Sequence, residues 1–143
     1  MSREQPRARS AYRAWRRIAT RWADNDAYGH VNNVVHYSWF DSAVNAWLVE
    51  EGLLDIASGD PIGLVVETRC AYFAPLTFPQ PVDVGLAVER LGGSSVTYRL
   101  GIFAEGSESA AAQGEFTHVY VDRGTHKPRQ LPQEWREKLA ALA

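Results

Sequence analysis

The chain of 143 residues contains one cysteine, Cys70, and no apolar run long enough to span a bilayer. A single cysteine excludes an internal disulfide and any zinc or iron–sulfur site built from several cysteines. Basic charge is not in excess either, because 15 Lys and Arg face 17 Asp and Glu. That balance argues against a dedicated nucleic-acid binder, whose phosphate contacts require Lys and Arg. We therefore expect a soluble, cytoplasmic protein that binds neither nucleic acid nor membrane.

The N-terminus differs in character from the rest of the chain. Its first ten residues are polar, with three arginines and a proline, and predict a flexible tail over residues 1–10. An Arg-rich, acid-poor beginning is also typical of a transit peptide. The pattern soon changes, because Ile18, Thr20 and Trp22 alternate with other side chains as in a β-strand. The length fits one domain, which we place at residues 11–143.

One long helix is predicted in the first half of the chain. The bulky side chains of its apolar face recur at spacings of three and four: Tyr37, Phe40, Val44, Trp47 and Leu48. Asn32 and Asn33 are both suitable N-cap residues, and Gly52 is a natural C-terminal stop. The helix is expected to have about 18 residues and a length of about 27 Å.

Four strands are predicted after this helix. Apolar residues alternate with other residues over 64–72, 82–89, 96–102 and 116–121. Gly92 and Gly93 supply a hairpin turn between two of these runs, and Pro132 marks the start of a short C-terminal helix. The order of strand, long helix and four strands predicts an α+β fold in which an antiparallel sheet curls around one helix.

The segment Trp22–Asn33, which reads WADNDAYGHVNN, is the most informative stretch. Asp24 and Asp26 stand shortly before a helix start, whose free N–H groups can hold negative charge. Gly29 allows a tight turn between them. This arrangement suits a reaction in which a carbonyl oxygen becomes negative while a carboxylate attacks the carbonyl or activates water. Turn and capping chemistry explains the same residues equally well, whereas a calcium-binding loop would need a later glutamate.

The pattern D-x-D-x-x-G-H-V-N-N, followed by an aromatic-rich helix, resembles the hotdog-fold acyl-CoA thioesterases of the 4-hydroxybenzoyl-CoA thioesterase type. The resemblance implies a hotdog fold, an antiparallel β-sheet wrapped around one long central α-helix. It implies hydrolysis of an acyl-CoA thioester to the free acid and coenzyme A, without metal or other cofactor. Asp26 falls on the catalytic carboxylate, and the backbone amide at or near Asn33 falls on the oxyanion donor. His30 matches a histidine assigned as catalytic in plant acyl-carrier-protein thioesterases, which carry Asn where this chain has Tyr28.

Substrate binding is expected at Gly29, Tyr37, Arg90 and Ser95. Related thioesterases often use the turn before Ser95 for the pantetheine or phosphates of coenzyme A, and Arg90 has the charge for a phosphate. The same Gly-Gly-Ser-Ser stretch is equally a plain hairpin. Hotdog domains usually pair, so the resemblance implies a homodimer or a homotetramer built as a dimer of dimers.

Other interpretations remain open at this stage. The chain can be a non-catalytic acyl-CoA-binding hotdog module, or a hotdog dehydratase or hydratase. Asp41 lies where some hotdog thioesterases carry their acid, although a packing role is the simpler hypothesis. Cys70 is expected to be a buried, inert thiol, and His36, like the other histidines outside the motif, structural or exposed. The acyl group, the choice between coenzyme A and carrier protein, and the nucleophilic or general-base role of Asp26 are undetermined.

Overall fold

The computed structural model describes residues 4–143, which fold into one antiparallel sheet and two α-helices. The five strands are β1 (Ala14–Ile18), β2 (Ile62–Tyr72), β3 (Val82–Leu91), β4 (Ser95–Ala104) and β5 (Ala112–Val121). The helices are α1 (Asn33–Glu50) and α2 (Gln133–Ala140). The predicted α+β order of strand, long helix and four strands is confirmed. None of the helices in residues 4–143 is long and apolar enough to cross a membrane.

The sheet has the strand order β1-β3-β4-β5-β2, with every neighbouring pair antiparallel. Helix α1 packs against one face, which we call the inner face. Alternate residues of the central strands point to that side and are fully buried, among them Val84, Leu100 and Ile102. Phe40 and Val44 of α1 have no exposed surface and complete the core. Burial of these side chains is the main force that holds helix and sheet together.

Helix α1 begins and ends where its local sequence predicts. The Asn32 side chain accepts a hydrogen bond from the Val34 N–H at 3.1 Å, so Asn32 is the N-cap. Gly52 follows the last turn with φ +74°, a left-handed conformation that favours glycine. The helix spans 18 residues, as predicted.

The first strand lies earlier than the alternation of Ile18, Thr20 and Trp22 predicts. Strand β1 ends at Ile18, and Trp22–Asp24 form a 3₁₀ turn. Trp22 is 77% exposed, so it is not an inward-facing strand residue. The difference arises because the buried Asp24 carboxylate accepts a hydrogen bond from the Arg21 N–H at 2.8 Å, which favours a turn over an extended chain.

Strand β2 forms an edge of the sheet and is largely exposed. Leu64 and Val66, predicted to share a face of this strand, are 39% and 59% exposed. A register irregularity lies between Val65 and Glu67, so the alternation of faces changes within the strand. The free edge therefore presents apolar side chains and unpaired backbone groups.

The outer face of the sheet, opposite α1, is partly covered by the N-terminal segment. Of the predicted tail, Met1–Arg3 lie outside the described residues, whereas residues 4–10 lie against the sheet. Ala110 N–H donates to the Arg7 carbonyl at 3.0 Å. The Tyr12 ring packs on Gly85 and Gly101, where any Cβ atom would come within 2.6 Å of that ring.

A buried polar network on β4 and β5 makes folding stability depend on pH. His118 Nδ1 lies 3.0 Å from the Tyr120 hydroxyl, which lies 2.7 Å from the Tyr98 hydroxyl. Burial lowers the pKa of the His118 imidazole to about 4. As the pH falls below the unfolded value of about 6.5, the unfolded chain binds a proton that the folded chain does not. Protonation of His118 in the unfolded chain should therefore lower the free energy of unfolding by about 3 kcal/mol by the time the pH has fallen to about 4.

We expect His118→Gln to reduce the fall in the free energy of unfolding between about pH 7 and about pH 4. Gln keeps a hydrogen-bonding group for Tyr120 but takes up no proton in this range. Urea denaturation at the two pH values measures the effect. The exposed His126 provides the control for the loss of a histidine elsewhere, and His126→Asn is measured at the same two pH values. If the free energy of unfolding falls equally for wild type and His118→Gln, His118 is not the group responsible.

Candidate active site

The loop before α1 closes on itself as a small hairpin-like turn. The Asp26 N–H donates to the His30 carbonyl at 2.8 Å, and Asn25 pairs with Val31 as an isolated antiparallel bridge. Gly29 has φ +80° and donates its N–H to the Asp26 carbonyl at 3.1 Å. Since L side chains rarely adopt this conformation, a glycine is required at the tip of the turn. Asp26 and His30 therefore lie opposite each other on the two arms of the turn, joined by the hydrogen bond between their main chains.

A second segment of the chain holds this turn in place. The Val31 N–H donates to the Leu76 carbonyl at 2.8 Å, and the Thr77 hydroxyl donates to the Gly29 carbonyl at 2.9 Å. Because both contacts join residues far apart in sequence, the turn is positioned by the tertiary structure.

Asp24 anchors the start of α1. Its side chain is 1% exposed and accepts three hydrogen bonds from Arg21, from the main-chain N–H at 2.8 Å, Nε at 3.0 Å and Nη2 at 2.8 Å. The Asp24 carbonyl accepts a hydrogen bond from the Asn32 N–H at 2.8 Å. A buried carboxylate requires such partners, and these hydrogen bonds engage both oxygens of the Asp24 side chain.

The Asp26 carboxylate is half-buried, and one of its two oxygens accepts a hydrogen bond from the main chain. Its Oδ1 accepts a hydrogen bond from the Tyr28 N–H at 2.8 Å. Within residues 4–143, Oδ2 has no hydrogen-bond partner. One oxygen therefore orients the carboxylate, and the other is available to a water molecule or a substrate.

The first residue of α1, Asn33, has a backbone N–H that points out of the helix. Val34 N–H donates to the Asn32 side chain, and Val35 N–H donates to the Asn32 carbonyl at 3.0 Å. No acceptor for the Asn33 N–H lies in the described part of the chain. The Asn33 carbonyl accepts a hydrogen bond from the Tyr72 hydroxyl at 2.8 Å, which ties the end of β2 to the helix start. The positive end of the helix dipole adds to the attraction of the Asn33 amide for an anion.

A pocket of about 320 Å³ lies at this helix start. Its walls include His30 and Asn33 from the motif, His36 one turn further along α1, Tyr72 at the end of β2 and Phe73 just after it. The structure thus brings two of the predicted site residues, His30 and Asn33, into one cavity. Asp26 is not among the residues that line it, although its turn is hydrogen-bonded to His30.

Sequence reasoning missed His36. The side chain is 4% exposed, and its ring packs edge-to-face on Tyr72 with 4.9 Å between centroids. Burial lowers the pKa of the His36 imidazole, and the nearby carbonyls of Asn32 and Asn33 oppose part of that shift. The spacing of three residues from Asn33 was the available signal, because residues three apart are neighbours on a helix surface.

Arg90 and Ser95 do not line this pocket. Arg90 is exposed and lines a separate groove of about 500 Å³ with Glu67 and Arg69. It makes no ion pair with any residue in 4–143. Ser95 begins β4, and its carbonyl accepts the Gly92 N–H at 2.8 Å in the predicted hairpin. Within one chain, these two residues are therefore apart from the helix start.

Tyr37 also lies outside the pocket walls. It is half-buried and packs edge-to-face on Phe40, with 6.3 Å between ring centroids. Asp41 is exposed and accepts a hydrogen bond from the Asn45 side chain at 3.0 Å. Burial raises the pKa of the Cys70 thiol to about 11, which keeps it protonated at neutral pH. Across residues 4–143, no three His, Cys, Asp or Glu side chains come together as a metal site requires.

Comparisons with known proteins agree with the fold. A family model described as the thioesterase-like superfamily matches residues 20–139. The PA5185 protein of Pseudomonas aeruginosa is 53% identical, with 97% of this chain and 96% of that chain covered and a TM-score of 0.93. The PA2801 protein of the same organism, a candidate thioesterase, is 27% identical, with 87% and 95% covered and a TM-score of 0.81.

A 1,4-dihydroxy-2-naphthoyl-CoA thioesterase from Synechocystis has the same fold. It is 22% identical, with 88% of this chain and 94% of that chain covered and a TM-score of 0.79. No curated protein sequence matches the chain. The predicted hotdog architecture, with an antiparallel sheet around one long helix, is confirmed by these structures together with the topology above.

Proposed function

We propose that this chain, which belongs to the thioesterase-like superfamily, hydrolyses an acyl-CoA thioester at the start of α1. Thioester hydrolysis in general follows from the family. The observation that supports this location is the unpaired Asn33 N–H at a helix N-terminus, inside a pocket and beside a turn that carries a carboxylate. The reaction needs no group beyond water and these residues.

The thioester carbonyl oxygen would lie against the Asn33 N–H. As the carbonyl carbon becomes tetrahedral, its oxygen acquires negative charge, and the amide and the helix dipole stabilise that charge. A single donor of this kind typically contributes about 2.7–4 kcal/mol to transition-state stabilisation. His30 and Gly29, on the turn that borders the pocket, would position the substrate from the opposite side.

Asp26 would supply the nucleophile or the general base. In the first route its free Oδ2 attacks the carbonyl carbon and expels the coenzyme A thiolate, which leaves a mixed anhydride that water hydrolyses. In the second route Oδ2 removes a proton from the attacking water. Both routes need a carboxylate oxygen without a fixed partner, and the hydrogen bond from Tyr28 to Oδ1 leaves Oδ2 in that state.

A second copy of the chain would complete the site. The edge of β2 exposes Leu64, Val65 and Val66, which are 39%, 49% and 59% exposed. Pairing of two such edges would bury these side chains and satisfy the open backbone groups. We therefore propose a homodimer or a homotetramer built from dimers, in which Arg90, Ser95 and Tyr37 of neighbouring copies approach the substrate.

A non-catalytic acyl-CoA-binding module is the second candidate. One observation favours it: Asp26 does not line the pocket that contains Asn33. Release of free thiol from a panel of acyl-CoA thioesters separates the two functions, because a binding module would release none.

We expect Asp26→Asn to lower kcat by orders of magnitude while the fold persists. Asn retains the oxygen that accepts the Tyr28 N–H, so the turn is preserved, but it can neither attack a carbonyl nor accept a proton. Thiol release measures turnover, and circular dichroism measures folding. The exposed Asp41 provides a control of equal charge change, since Asp41→Asn should retain activity. A folded Asp26→Asn protein with wild-type turnover would show that Asp26 is neither the nucleophile nor the general base.

Asn33→Pro tests the oxyanion donor directly. Proline removes the N–H together with the Asn33 side chain, and it is favoured at the first position of a helix. The preceding residue, Asn32, already has φ −61° and ψ 138°, the extended conformation that a following proline requires. We expect kcat to fall about 10²- to 10³-fold. Asn33→Ala keeps the N–H and should stay close to wild type. Equal losses in both variants would place the donor elsewhere.

Arg90→Ala tests the proposed phosphate contact. The exposed Arg90 has no ion pair to lose, so folding stability should be unchanged. We expect KM to rise for acyl-CoA thioesters but not for the matching acyl-pantetheine thioesters, which lack the nucleotide phosphates. Arg13→Ala removes the same charge from another exposed position and should leave both KM values unchanged. A rise in KM for both substrates would argue against a phosphate contact.

A further inference from the structure

We infer that His36 is a specificity-determining residue that accepts a hydrogen bond from a hydroxyl group of the acyl moiety, about 5 Å from the thioester carbonyl. The inference rests on the proposed function for the identity of the ligand, an acyl thioester, but does not require hydrolysis. It is carried by a buried imidazole that lines the pocket at the helix start and whose Nδ1 has no hydrogen-bond partner within residues 4–143.

The position of His36 directs it toward the proposed carbonyl site. It follows Asn33 by three residues, so the two lie on one side of α1, about 5–6 Å apart between Cβ atoms. Helical side chains lean toward the N-terminus, which carries the imidazole back over the first turn. The Tyr72 and Trp39 rings pack against it at centroid distances of 4.9 and 5.5 Å and limit its rotation. A group bound at the Asn33 amide therefore has this ring beside it.

The imidazole presents an acceptor to the pocket. Nδ1 is sealed from solvent and has no hydrogen-bond partner within residues 4–143. The carbonyls of Asn32 and Asn33 lie near the ring, and an N–H faces carbonyl oxygens more favourably than a lone pair does. We therefore assign the proton of the neutral ring to Nδ1. Nε2, which is not sealed in this way, carries the lone pair.

The lone pair on His36 Nε2 would make the pocket select between acyl groups with and without a hydroxyl. An acyl group displaces water from Nε2, and a purely hydrocarbon group offers no donor in return. A hydroxyl at the right distance restores the hydrogen bond. Buried polar groups left unpaired typically cost about 1–3 kcal/mol, so the expected preference for the hydroxylated ligand is about 5- to 150-fold. Sites of this type discriminate against analogues that lack a single hydroxyl.

Non-hydrolysable thioether ketones of coenzyme A test the preference without catalysis. Calorimetry with the full chain would compare phenacyl-CoA, 3-hydroxyphenacyl-CoA and 4-hydroxyphenacyl-CoA, whose hydroxyl lies too far from the carbonyl. Wild type should bind the 3-hydroxy compound at least about 5-fold more tightly than the other two. His36→Phe should abolish this preference, and His36→Gln, which keeps an acceptor oxygen, should retain part of it. Equal affinities in wild type, no binding of either compound, or a preference that survives in His36→Phe would overturn the inference.

The wild-type protein provides an independent measurement if a variant fails to fold. The nitrogen chemical shifts of His36 should show protonated Nδ1 and unprotonated Nε2, and the Nε2 shift should move when 3-hydroxyphenacyl-CoA binds but not when phenacyl-CoA binds. The opposite tautomer would overturn the inference. Selective binding without thiol release from any acyl-CoA would refute the proposed function and leave this inference standing. Hydrolysis of acyl-CoA thioesters without a preference for the hydroxylated compound would support the proposed function and overturn this inference.

Discussion

The buried carboxylate of Asp24 is the constraint on which the site depends. A carboxyl group with 1% exposure must have hydrogen-bond partners, and Arg21 supplies them. The main-chain carbonyl of Asp24 in turn accepts a hydrogen bond from the Asn32 N–H. These bonds end the extended chain after β1, close the 3₁₀ turn and set the N-cap of α1. The position of the Asn33 amide follows from them, since it is the next residue along. In the proposed site, a carboxylate to which no catalytic step is assigned thus positions the amide that would bind the carbonyl oxygen.

The sheet and the helix each position part of the pocket. Packing of α1 on the inner face fixes the helix axis, and the Tyr72 hydroxyl fixes the helix start through the Asn33 carbonyl. Backbone and Thr77 hydrogen bonds attach the Asp26 turn to the segment after β2. The pocket walls therefore come from three separate parts of the chain, and none of them alone encloses a cavity.

The two faces of the sheet have different roles. The inner face is apolar and carries the core, whereas the outer face holds the N-terminal segment over Gly85 and Gly101 and leaves Arg90 exposed. Residues that the family resemblance groups together are thus distributed over opposite sides of one chain. In the proposed dimer, the exposed apolar side chains on the β2 edge would be buried between two chains, and Arg90 of one copy would approach the helix start of the other.

Local signals determined much of this protein in advance. The N-cap, the length of α1, the four later strands and the turn at Gly29 depend on hydrogen bonds and periodicities among near neighbours, which the sequence records. Burial and edge position depend on contacts between distant segments, which it does not record. Only the tertiary structure therefore decided that Leu64 and Val66 are exposed, that Trp22 leaves the strand, and that the His36 imidazole is enclosed beside the helix start with an unpaired nitrogen.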